Sequence, residues 1–195
     1  MASETTVATR ALRRLGQPPV TVLDGSTPQG AILLDLFADT RDALLVAAKP
    51  RFVWARASLA EDAAYAALTT RVGWAHRYPV PADYLAPLGL GPDEEAWTDP
   101  WTEEGGAILT DLGAPLPLRY VARVTDVARW SGDFVDLMAL TLAAEAAYPI
   151  TESTTRAEAL RQEADAKLTL LRHDQSLRGT PPRRSDERRL TDVRV

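Results

Sequence analysis

The richest set of reactive side chains lies between positions 93 and 104. Asp93, Glu94, Glu95, Asp99, Glu103 and Glu104 are interleaved there with Trp97 and Trp101. Paired carboxylates can serve as acid and as nucleophile or base on a glycosidic bond, and indoles can seat a sugar ring. Nothing in the run marks one carboxylate as buried with a raised pKa. The favoured reading is therefore a solvated loop whose tryptophans cover the sheet or a neighbouring subunit. The acids also lack the ligand spacing of an EF-hand loop. The two histidines, His76 and His173, are far apart, and there is no cysteine to complete a metal set. His173 and Asp174 are adjacent, and neighbouring positions on a helix point about 100° apart, so they do not face each other. No P-loop, G-x-G-x-x-G, nucleophile elbow or H-E-x-x-H is present. No catalytic residue, metal ligand or cofactor is assigned.

The elements that would position these residues fit one ordinary domain with a small insertion. The chain has 195 residues, close to half of them apolar and a quarter charged. The opening MASETTVATRALRR lacks the basic-then-apolar order of a secretion signal. The net charge of −5 is uneven. Residues 176–195 hold six Arg against three acids, which leaves −8 on the other 175 residues. So acidic a body argues against a broad nucleic-acid-gripping face.

Ser3 and Glu4 open a helix with Val7, Ala8, Ala11, Leu12 and Leu15 at helical spacing, and Gly16 stands where a left-handed cap belongs. Ser26, Thr27 and Pro28 start a second helix, which runs to about Lys49 before Pro50 stops it. Phe52–Ala60 fits either a strand or a helix start. From about Trp74 onward Pro and Gly are too dense for long helices and suit a small antiparallel sheet. The candidate strands are Trp74–Tyr78, Tyr84–Leu90, Ala107–Thr110 and Leu118–Thr125. Ser131 caps a further helix that Pro149 ends, and Thr155 with Glu158 has capping-box spacing for a last helix reaching about His173.

The expected fold class is α+β, mainly α. Residues 1–72 and 130–175 form a helical bundle, residues 73–129 a small inserted β domain, and residues 176–195 an Arg/Pro-rich, flexible C-terminal tail. Between Phe134 and Ile150 only Asp136, Thr141 and Glu145 are clearly polar. A helix with so narrow a polar stripe must be covered on several faces. The expectation is that neighbouring subunits supply part of that cover, through Phe134, Leu137, Met138, Leu142 and Tyr148. Two acids near its middle argue against a membrane span. In the tail, Asp186, Glu187 and Asp192 weaken phosphate attraction, so protein docking or solvation is favoured over nucleic acid. Leu190 and Val193 offer apolar anchors there.

Several segments, in order, are similar to a known family. Thr40-Arg41-Asp42-Ala43-Leu44-Leu45 is similar to an arginine–aspartate–x–leucine–leucine segment. An aromatic–x–aromatic–alanine element follows at Phe52-Val53-Trp54-Ala55, with Arg56 and Leu59 after it. The family usually has tryptophan first and phenylalanine second, a reversal that is accommodated if both rings fill one pocket. Tyr78, Pro81-Ala82-Asp83 and Tyr84 resemble a "tyrosine, then proline–x–aspartate" strand opening, and Glu104–Asp111 a glycine-flanked strand. The longest match is Leu118–Asp126, then Trp130, Phe134-Val135 and Leu142–Thr151. Over roughly residues 5 to 175 the chain thus resembles the head-to-tail adaptors of tailed bacteriophages, called tail tubular protein A in short-tailed phages.

The resemblance implies a bundle with a small β domain. It implies a ring, typically of twelve copies, seated beneath the portal at the head–tail junction of the virion after synthesis in the host cytoplasm. DNA passes through the channel without specific binding, and the far side receives the nozzle or another downstream tail component. The role is structural, without cofactor, metal or membrane. On this reading Arg178, Arg183, Arg184, Arg188, Arg189 and Leu190 are candidates for portal contact, and Trp97 and Trp101 for the next tail component. The alternatives are a cell-wall glycan hydrolase using the 93–104 carboxylates and a non-viral peptide-binding scaffold.

Overall fold

The computed structural model describes residues 2–70, 73–90 and 99–177. Helix α1 (Glu4–Arg14) is capped by Ser3, whose hydroxyl accepts the amide of Thr6, and Gly16 takes the left-handed conformation (φ 74°) beyond its end. Helix α2 (Pro28–Ala48) is capped by Thr27, with Pro28 at its first position. A single 3₁₀ turn (Arg51–Val53) then leads into strand β1 (Trp54–Leu59), which resolves the ambiguous 52–60 stretch as a strand. A short helix α3 (Ala63–Ala66) follows, then β2 (His76–Pro79), β3 (Tyr84–Leu90), β4 (Trp101–Glu104), β5 (Ala107–Thr110) and β6 (Leu116–Ala122).

The strands form two antiparallel sheets of three, ordered β1-β6-β3 and β2-β5-β4. Strand β1 lies within the 1–72 stretch assigned above to the bundle, yet it pairs with β6 along its whole length, so the β region begins near Trp54. The two sheets close on a core of their own. Leu116, Leu118, Tyr120 and Ala122 of β6 meet Leu59, Tyr78, Leu90 and Ile108 there. Side chains alternate along a strand, so Val121 projects the other way and packs into the helical core. The β1-β6-β3 sheet is thus the wall between two cores.

Helix α4 (Gly132–Thr151) starts at Ser131, whose hydroxyl accepts the Phe134 amide. It runs two residues past Pro149, which sits in the last turn. There the Thr151 hydroxyl bonds the Ala147 carbonyl, and Glu152 takes the left-handed cap (φ 55°). Helix α5 (Thr154–Leu177) is capped two residues earlier than expected, by the Ser153 hydroxyl, which accepts the Arg156 amide.

By length and composition α4 could cross a membrane. The chain instead packs α1, α2 and α5 around it. Phe134, Leu137, Met138 and Leu142 are each 0% exposed. The expectation that these four side chains need a neighbouring subunit is corrected: three helices of the same chain suffice, because α1 and α2 flank α4 while α5 folds back along it. Tyr148 remains outside, 57% exposed. At the sheet end an aromatic cluster closes the bundle. Phe37 stacks on Trp130, and Trp130 and Phe52 each meet the Phe134 ring edge-on at 5.2 and 5.3 Å.

Candidate functional site

The junction between bundle and sheets is where separated sequence segments converge on charge. The Asp42 carboxylate on α2 receives the Arg41 Nε–H at 2.8 Å on one oxygen and the Arg123 Nε–H, from just after β6, at 2.7 Å on the other. Arg41 is buried, so its guanidinium requires this partner. Next to Arg41, the buried Thr40 hydroxyl donates to Glu145 of α4 at 2.7 Å. On the opposite flank Asp136 of α4 accepts from Arg10 of α1 at 2.5 Å and from Lys167 of α5 at 3.4 Å. Two of the three polar positions that interrupt the apolar helix thus fix its register against its neighbours.

Phe52 and Trp54 do not share a pocket. Phe52 packs into the bundle core, whereas Trp54 faces outward on the edge strand β1, 43% exposed. Its indole N–H donates to the Lys49 carbonyl at 2.9 Å, and the Arg51 guanidinium lies 4.9 Å above its ring. Trp54, Arg56 and Ser58 occupy the outer face of β1, while Ala55, Ala57 and Leu59 turn to the β core. Arg56 stands directly opposite Arg119 of β6, an unfavourable like-charge register. Arg56 forms no ion pair with the described residues. Residues 49–58 carry three cations and no acid.

A cleft of about 450 Å³ opens between the start of α4 and the second half of α5, lined by Asp133, Glu163, Lys167, Leu170, Leu171 and Asp174. Leu170 stands in it 70% exposed. Lys167 is held by Asp136, and Glu163 takes Arg14 at 3.1 Å. The sequence held a signal for this site: Leu170 falls off the buried 160–164–168–171 stripe of α5.

The carboxylate loop does not assemble a catalytic pair among the described residues. Asp93, Glu94, Glu95 and Trp97 lie outside them. Glu103 is exposed and accepts the Tyr84 phenol at 2.9 Å, and Trp101 is half-buried against the β core. Burial, reinforced by the Glu103 carboxylate, pushes the Tyr84 phenol well above its ordinary range. Tyr78 and Tyr120 are raised too, each mainly by burial, and Tyr120 also by its bond to Asp83 at 3.0 Å.

The two histidines stay apart. His76 meets Glu61 at 2.9 Å, and His173 lies on the exposed side of α5. Among the described residues no group of three or more His, Asp or Glu is placed to hold a metal ion, and no buried side-chain polar atom lacks a partner. The portal-contact candidates Arg178, Arg183, Arg184, Arg188, Arg189 and Leu190 lie outside the described residues. No protein-family model and no curated protein sequence matches this chain.

Proposed function

We propose that this chain is a structural head-to-tail adaptor of a tailed bacteriophage, forming a ring beneath the portal that passes DNA and receives the next tail component. The observation that carries the reading is the Asp42 node. The Arg41-Asp42 pair and Arg123 belong to two of the segments that resemble the adaptor family. They are separated by about eighty residues and meet side chain to side chain at 2.7 Å. Both partners of that ion pair lie in segments on which the resemblance rests, which supports reading those segments together.

The fold is of the kind the resemblance implies, with the β strands inserted between α2 and α4. The acidic body suits a passage for DNA, since like charge keeps the duplex from sticking. A closed ring needs two different faces that fit each other. Those faces must be surface groups, because the apolar side of α4 is already occupied. The tail beyond Leu177, with its six arginines, would carry the portal contact.

Mass photometry and negative-stain imaging of the purified chain, alone and with the portal of its phage, test the reading. Annular particles of about twelve copies are the expected result. A chain that stays monomeric in both conditions and is missing from virions overturns it.

A further inference from the structure

We infer that the occupant of the α4–α5 cleft is the Trp54 ridge of a second copy of this chain. The inference rests on the ring reading and assigns its seam. Ridge and cleft are complementary in kind. The ridge presents an exposed indole flanked by Lys49, Arg51 and Arg56, with no acid among residues 49–58. The cleft presents an exposed leucine, Leu170, flanked by Asp133, Glu163 and Asp174. Its one cation, Lys167, is tied to Asp136 and Glu163 is held by Arg14, so the charge match rests chiefly on Asp133. Asp133 sits in the first turn of α4 and forms no ion pair with the described residues. An aromatic anchor entering a partly apolar recess with opposite charges at its rim is the usual composition of a contact that carries binding energy.

The two surfaces also point apart, as a head-to-tail contact requires. Arg172 of α5 donates to the Ala47 carbonyl, and the Gln175 side chain accepts the Arg51 amide. The end of α2 and the start of the ridge therefore lie on that side of α5. Glu163, Leu170 and Asp174 fall about half a turn around the helix from Arg172. Measured from Gln175, which takes the Arg51 amide, Glu163, Leu170 and Asp174 lie about 100–140° around α5, so ridge and cleft open on different sides of that helix. A ridge-to-cleft contact joins two different faces, and such contacts propagate into a ring where the rotation between copies closes. Carboxylates of the neighbouring cleft would give Arg56, which stands opposite Arg119 in the register, an opposite charge.

The chain has no cysteine, which makes the test direct. An Arg56→Cys/Asp133→Cys chain, treated with a short bismaleimide under the condition in which the wild type assembles, is expected to give a ladder of covalent oligomers. Either single variant is expected to give none. Arg56→Glu should weaken assembly at least tenfold, and Arg56→Glu/Asp133→Arg should restore it to within about threefold. Circular dichroism and thermal unfolding of each variant confirm that the fold is retained. Rings that form from Arg56→Glu as readily as from the wild type, or a double-cysteine chain that assembles but gives no ladder, overturn the seam and leave the ring reading standing. Cross-linked dimers from Arg56→Cys alone overturn it in favour of a twofold contact. A wild-type chain that assembles neither alone nor with the portal removes the ring reading and the seam together.

Discussion

Thr40 on α2 and Glu145 on α4 are joined by a 2.7 Å hydrogen bond in which a buried hydroxyl donates to a carboxylate at the surface. The asymmetry in burial sets the asymmetry in cost. Glu145→Ala strands a hydroxyl that is 3% exposed, whereas Thr40→Val leaves a carboxylate that water still reaches. The expected losses are about 1 kcal/mol or more for Glu145→Ala and under about 1 kcal/mol for Thr40→Val. Urea unfolding of both variants and of the double variant measures the coupling. Equal effects that simply add would show that the bond does not hold the two helices in register.

Phe134 and Tyr148 lie on the same helix, one fully enclosed and the other 57% exposed. Phe134 is fully buried and touches Trp130 and Phe52, so Phe134→Ala should cost about 3–5 kcal/mol. Tyr148→Ala should change stability by no more than about 0.5 kcal/mol. Thermal unfolding distinguishes them, and a mild Phe134→Ala variant would mean that α4 is less enclosed than its packing indicates.

Gly30 is the third residue of α2, where alanine would ordinarily help a helix by about 1 kcal/mol. Here an added Cβ would stand 2.7 Å from the Thr27 hydroxyl oxygen and 2.8 Å from the Asp24 carbonyl oxygen. The same Thr27 hydroxyl caps the helix through the Gly30 amide. Gly30→Ala should therefore destabilise by about 1 kcal/mol or more, since the cap or the 24–27 turn must move. A raised melting temperature would contradict this.

Stability should decline in alkali. The Tyr78, Tyr84 and Tyr120 phenols are all raised above the ordinary value of 10.0, so above that pH the unfolded chain loses protons that the folded chain keeps. The unfolded state then binds fewer protons, and the slope of stability against pH is negative. The contribution is intact below about pH 10 and is lost above it. Melting temperatures from pH 8 to 11.5 should stay level and then fall, with a shallower fall for Tyr84→Phe. An unchanged alkaline slope in that variant would remove Tyr84 from the account.

Salt should loosen any contact between copies more than it loosens the fold. The charges on the ridge and at the cleft rim are exposed, and such charges are screened within about 8–10 Å at ordinary ionic strength. Sedimentation at 0.05 and 0.5 M salt should show assembly weakening while the melting temperature stays nearly constant. Assembly that strengthens with salt would point to an apolar seam instead.

Local punctuation made the helices readable. Ser3, Thr27 and Ser131 each cap the helix they were expected to cap, and Gly16 takes its left-handed turn. Strands β3 and β5 also fall at their expected bounds, because Pro and Gly isolate them. What sequence could not give was partnership. That β1 leaves the bundle to pair with β6, and that one sheet parts two cores, depends on contacts between residues some sixty positions apart. The apolar girth of α4 was legible, but the agent of its cover was not: hydrophobicity states that a surface must be hidden and is silent on which chain hides it. The Trp54–Arg51 ridge was equally invisible, since a tryptophan after a phenylalanine reads as core until one ring is seen to turn outward.

The enclosure of α4 has a consequence for the order of events. Because the greasy rod is sheathed at the moment of folding, a newly made copy has no urgent need of company. If the proposed ring forms, its copies come to the seam already folded, and what limits building is then the number of copies and not the act of folding.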